Sequence, residues 1–141
     1  MAAAQKFNSF VEDVAEKVHN LGSDTLKVML ANSAPAATNT VKANLTEISA
    51  GNGYTAGGTA ATISASAQAS GTYKLTLADV VFTAAGGAIG PFRYPVLYND
   101  TPTSPADPLI LFWDYGSSIT LADTETFTTD FDASGGVLTI A

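Results

Sequence analysis

The hydrophobic period of the chain changes once, at Gly22, and that change narrows the fold more than any other feature. Before it, Phe7, Phe10, Val11, Val14, Val18 and Leu21 recur at three- and four-residue spacings, while Glu12, Asp13, Glu16, Lys17 and Asn20 fall off that stripe. The spacing predicts one amphipathic helix over Phe7–Leu21. Ser9-Phe10-Val11-Glu12 has the form of a capping box at its start, and Gly22 supplies a left-handed stop at its end. After Gly22 the period becomes 2: Leu26, Val28 and Leu30 alternate with Thr25, Lys27 and Met29, a strand.

No helical pattern returns. Short strands are predicted over Asn44–Ser49, Thr59–Ser66, Tyr73–Leu77 and Asp79–Thr83, with turns at Gly51–Gly58, Ser70-Gly71 and Gly86-Gly87. Phe92, Tyr94, Val96 and Tyr98 share one face of a further strand. Pro95 lies inside it and cannot donate to a ladder, which predicts an edge position or a bulge. Leu109–Trp113 is apolar at every position and reads as a central strand buried on both faces. Thr124–Asp132 puts Phe127 and Phe131 on one side, and Val137–Ile140 closes the chain. About eight strands with turns every ten residues or so predict a mainly β chain, an antiparallel β-sandwich or jelly-roll-like domain with one N-terminal amphipathic helix. The absence of helices between strands argues against a parallel βαβ fold. The expected organisation is a single domain over 1–141, an arm and helix in 1–22 followed by the sandwich in 23–141.

Charge restricts the function classes. The net charge is −7, and Arg93 is the sole arginine among six basic residues, so no basic stripe is available to displace counterions from phosphates. Nucleic acid is therefore not an expected partner, and an anionic membrane surface would repel the chain. No apolar stretch approaches the ~20 residues of a membrane-spanning helix. With no cysteine, disulfides, thiolate metal sites and thiol nucleophiles are excluded. The first residues lack the apolar run of a signal peptide, so the expected place of synthesis is the cytoplasm.

Four motifs carry a chemical reading beside a structural one. Gly51-Asn52-Gly53-Tyr54-Thr55-Ala56 matches a dinucleotide-binding fingerprint, which requires a helix N-terminus directly after it to hold the pyrophosphate. Gly57-Gly58-Thr59-Ala60 follows instead, so the motif reads as a turn. His19, the one histidine, lacks a partner histidine or cysteine for a metal and reads as a surface or helix-end residue. No segment resembles a nucleophile elbow. Asp130 and Asp132, near Asp123 and Glu125, are two apart on a predicted strand, the placement of a Ca²⁺ pair or a glycosidase acid and base; solubility alone explains the alternation, so they read as a solvated strand face opposite Phe127 and Phe131. Tyr94, Tyr98, Phe112, Trp113 and Tyr115 would suit a carbohydrate platform but sit on segments assigned to core strands. The sequence thus offers no catalytic, cofactor or metal set. The helix stripe is the candidate partner interface, with Phe7, Phe10, Val11, Val14 and Val18 as its contact residues; covering the domain's own core demands the same stripe.

Lys6-Phe7-Asn8-Ser9-Phe10, Ser23-Asp24-Thr25-Leu26-Lys27-Val28, Glu47 through Gly58, Phe92-Arg93-Tyr94-Pro95-Val96-Leu97-Tyr98, and Pro108-Leu109-Ile110 through Asp114-Tyr115-Gly116 together resemble small virion proteins of tailed bacteriophages. The resemblance spans nearly the whole chain and implies a capsid cement, or decoration, protein. Such a protein is a jelly-roll-like subunit on the exterior of the head, bound to the major capsid protein as a homodimer or homotrimer on a symmetry axis, without catalytic residues or cofactor. Related small phage proteins occur in tails and fibres, so the alternative expectation is a tail or fibre module that binds a host-surface glycan.

Overall fold

Strand β2 (Leu26–Ala31) realises the alternating run after Gly22, and the rest of the chain is arranged around its two faces. The structure, a computed structural model, describes residues 2–141. The described residues form twelve strands, all paired antiparallel, and the chain is mainly β.

In the largest sheet β2 lies between β8 (Tyr94–Asn99) and β3 (Thr59–Ala61); β9 (Leu109–Phe112) and the two-residue β1 (Gln5–Lys6) extend it beyond β8. A second sheet takes the order β12-β5-β4, from Leu138–Ile140, Thr72–Leu77 and Ile63–Ala69. Two further pairs join β6 (Val80–Thr83) to β11 (Thr126–Thr129) and β7 (Ile89–Phe92) to β10 (Ile119–Leu121).

Side-chain alternation sends Leu26, Val28 and Leu30 into the main core, which they share with Leu75, Leu77, Phe82, Phe92 and Phe127 from the smaller sheets. Met29 and Ala31 point the other way, into a second cluster with Phe7, Val96, Tyr98, Leu109 and Phe112. β2 is therefore buried on both sides, which accounts for its near-continuous apolar sequence. The uniformly apolar Leu109–Phe112 has the same cause, and a register shift opposite Leu97/Tyr98 lets both Ile110 and Leu111 reach the main core.

Several expectations are corrected. The helix α1 spans only Phe10–Ala15, not Phe7–Leu21. Lys17, at φ 67°, takes the left-handed position. Its N–H donates to the Val14 carbonyl (3.3 Å) while the Val18 N–H donates to Asp13 (2.8 Å), a Schellman closure five residues before Gly22. Ser9 is the N-cap residue, but its side chain makes no cap bond and the capping box does not form. Asn44–Ser49 is no strand: Lys42–Asn44 is a single turn of 3-10 helix, and Glu47 makes one isolated bridge to Ala31.

Pro95 sits in an interior strand rather than at an edge. Opposite it, the Leu30 N–H donates to Tyr54 Oη and the Leu30 carbonyl accepts from Ile48, both on the far side of β2. The missing proline N–H is thus not needed on that side, and on the other side β9 ends at Phe112. Phe92 does not share a face with Val96 and Tyr98: the chain breaks at Arg93, and Phe92 belongs to β7 and the main core.

Candidate interaction site

The short helix and its irregular continuation form one wall of a groove of about 600 Å³. Val14, Val18 and Leu21 contribute its apolar side, and Tyr73 of β5, Pro102 and Ile140 of β12 close it from the opposite wall. Lys17, His19 and Asp24 supply the polar groups around it. Ile140 is 37% exposed and Val11, on the outer side of the helix, 55%.

The five predicted contact residues divide. Phe7 fills the second core, its ring centroid 4.9 Å from that of Phe112. Phe10 fills the main core beside the His19 ring, at 5.3 Å. Val14 and Val18 are half-buried in the groove wall, and Val11 projects to solvent. Tyr73 and Ile140, brought to the groove from distant parts of the chain, escaped the sequence reading; the one signal for Ile140 was an isoleucine at the end of a short alternating strand.

His19, expected at the surface or at the helix end, lies three residues beyond the C-cap Glu16 and is buried. The Asn99 amide donates to His19 Nδ1 (3.0 Å) and to Asp24 Oδ2 (2.7 Å), and Asp24 Oδ2 also accepts the Asn20 N–H. Because Nδ1 accepts, the neutral ring carries its proton on Nε2, which has no partner; the nearest carboxylate oxygen, on Asp13, is 4.0 Å away. Desolvation lowers the His19 pKa to about 4, against a smaller upward pull from Asp24. This node fastens the groove wall to the end of β8.

The glycine motif Gly51–Gly58 is a seated loop. Glu47 Oε1 accepts from Tyr54 Oη (2.7 Å) and from the Gly57 N–H (2.6 Å), Lys42 lies 3.4 Å from Glu47 Oε2, and Tyr98 Oη donates to the Gly57 carbonyl (2.6 Å). Gly58, at φ +81°, runs so close to β2 that a Cβ there would lie 1.9 Å from the Val28 carbonyl oxygen. Strand β3 follows, not a helix, so the requirement for a pyrophosphate cradle is unmet.

Three of the four acidic residues from Asp123 to Asp132 are each engaged by backbone N–H groups. Asp123 accepts the Gly86 N–H, Glu125 the Ala122 N–H, and Asp132 the Ser134 and Gly135 N–H groups. Those last two bonds hold the Asp132 carboxyl below the usual carboxylate range, the wrong direction for a general acid. Asp130 and Asp132 lie past the end of β11, not on a strand face, and both line a shallow cavity of about 350 Å³ beside Trp113 and Val137. Among the described residues no three histidine, aspartate or glutamate side chains are grouped to hold a metal ion.

Of the aromatic set, Tyr98, Phe112 and Trp113 are buried, Tyr94 is half-buried under Arg93, and Tyr115 alone is exposed. Arg93 forms a bidentate pair with Asp114 (2.7 and 3.0 Å) at a part-exposed position, where such pairs stabilise little. No helix among the described residues is long and apolar enough to cross a membrane. No family model, curated protein or solved structure matches the chain.

Proposed function

We propose that this chain is a structural protein of a phage virion, a cement protein that docks on the exterior of the assembled head and bridges subunits of the major capsid protein. The observation that carries the reading is how the polar side chains are used. Glu47, Asp123, Glu125, Asp132, Asn99 and Asp114 each hold a loop or strand end of the chain's own fold, while a mainly apolar groove of about 600 Å³ is left open behind the helix. An apolar groove left open among polar groups that hold the fold is suited to docking on a protein partner. The sequence resemblance points the same way.

In this reading the five-stranded sheet and the smaller sheets are the two layers of a jelly-roll-like β-sandwich, a description supported by the main core they share. The docking surface is centred on Val11, Val14, Val18 and Ile140, the outward-facing part of the predicted contact set together with the C-terminal strand. Copies act as a homodimer or homotrimer on a capsid symmetry axis, so that each oligomer touches several shell subunits. An interface of standard size buries about 1,600 Å², and simultaneous contacts raise avidity above that of any one of them. The alternative of a glycan-binding tail or fibre module gains no specific support, because only Tyr115 of the aromatic set is open to solvent.

Cosedimentation with assembled heads that lack this protein, with unassembled shell subunits as control, tests the reading. Saturable binding to heads and not to free subunits is expected. Failure to bind heads would sink it.

A further inference from the structure

Strand β4 is the outer strand of its sheet and pairs only with β5. A two-residue turn, Ser70 at φ 52° and Gly71 at φ 82°, joins the two strands. The pair that closes such a turn, Ala69↔Thr72, is hydrogen-bonded, so Ala69, Ala67 and Ala65 turn their backbone groups inward to β5. The N–H and C=O of Ser66 and Gln68 then point outward along the open edge, with no backbone partner among the described residues.

Proteins blunt such edges with charge, proline, brevity or a bulge. Several other strands in this chain carry such a device, although the four-residue pair β6 and β11 has neither charge nor proline. β1 has two residues including Lys6, β3 and β12 have three each, and β7 contains Pro91. β4 has seven residues, no charge and no proline; its one irregularity, between Ile63 and Ala65, leaves residues 65–69 regular. Residues 48–73 contain no charged side chain in a chain of net charge −7.

We propose that β4 is the edge through which two copies of this chain pair. The strands run antiparallel about a two-fold axis at Ala67, Ser66 of each copy bonded to Gln68 of the other, and the two sheets become one. A second copy fits for two reasons. An antiparallel pairing of identical edges is self-complementary, each outward N–H meeting a carbonyl of the other copy. Two strongly acidic molecules also approach with least repulsion through a surface without carboxylates, and the nearest charge in this sheet is Lys74, opposite Ala67 one strand inward. The pairing deepens the oligomeric part of the proposed function, but it is a property of the isolated chain and is tested there.

Sedimentation velocity of the purified chain over increasing concentration reads the association directly. The wild type is expected to dimerise, and Ala67→Lys, which apposes like charges across the axis, to weaken the dimer at least ten-fold with an unchanged circular dichroism spectrum. Since the chain has no cysteine, Ala67→Cys gives a second readout. Residue 67 meets its own copy across a non-hydrogen-bonded pair, so mild oxidation should yield a disulfide-linked dimer, and Val81→Cys, exposed on β6, should not. A wild type that stays monomeric, a dimer indifferent to Ala67→Lys, or equal cross-linking at both cysteines would overturn the proposal. Head binding by Ala67→Lys, measured separately, distinguishes failure of the pairing from failure of the cement reading.

Discussion

Replacing Tyr54 by phenylalanine removes one oxygen and tests whether Glu47 and Tyr54 seat the glycine loop. The ring is buried and packs at 5.8 Å from that of Phe82, a contact phenylalanine preserves. What is lost is the acceptor of the Leu30 N–H, buried in the central strand, and one donor to the Glu47 carboxylate. An orphaned buried N–H costs about 1–3 kcal/mol, and a bond to a charged group contributes about 1.5–3 kcal/mol when intact. Glu47 keeps the Gly57 N–H and Lys42, so the lower part of the second range applies. The expected loss is about 3 kcal/mol, or roughly 12 °C in Tm at about 4 °C per kcal/mol for a chain of this size. Tyr98→Phe is the matched control: it removes a single part-buried bond to the Gly57 carbonyl and should lose about 1 kcal/mol. Thermal and urea unfolding of the three proteins reads both. A Tyr54→Phe loss no larger than that of Tyr98→Phe would refute the assignment of Tyr54 as the pin of the loop.

Gly58→Ala should destabilise by more than about 3 kcal/mol, because positive φ and a backbone clash with Val28 coincide, whereas Gly71→Ala, with open space around it, should lose about 1 kcal/mol; urea midpoints compare them. The His19 pKa is lowered in the folded state, so the unfolded chain binds the extra proton first: stability is full above about pH 6.5 and falls as pH drops toward 4. Asp13, raised by burial and by Glu12 and Glu16, acts in the opposite sense at the acid end of that range. Urea midpoints between pH 7 and 4.5 should show this slope in the wild type and a reduced slope in His19→Leu. Val18→Asp places a carboxylate in the groove wall and should weaken head binding at least ten-fold, read by cosedimentation, with the β circular dichroism spectrum retained.

The strand pattern was legible where burial leaves a simple period. Leu26–Leu30 alternates because β2 sends successive side chains into two cores, and Leu109–Phe112 is apolar throughout because β9 is covered on both faces. The turn reading of the glycine motif followed from what comes after it. The helix end was not legible, since Phe10, Val14, Val18 and Leu21 keep helical spacing even though Lys17 closes the helix. The residues that hold that exit, His19 and Asn99, lie 80 positions apart and meet only through the tertiary structure. Pro95 was half legible: the pairing of β8 with β9 does carry an irregularity, at Leu97/Tyr98, but the strand is interior, and its tolerance of proline depends on Leu30 directing its backbone groups toward Ile48 and Tyr54, a detail of registration that no local pattern carries. The groove was half visible, through Val14 and Val18, because its other wall comes from Tyr73, Pro102 and Ile140 on distant segments.

Stabilisation of an assembled shell is read from the disruption temperature of heads lacking this protein, with and without the purified chain added back. Binding to the shell alone stabilises it by linkage, about 2.7 kcal/mol per site at a hundred-fold excess over Kd. The disruption temperature is expected to rise with added protein, to saturate at a fixed copy number, and to rise less with Val18→Asp. Heads that break at the same temperature with the protein bound at saturation would contradict the cement reading.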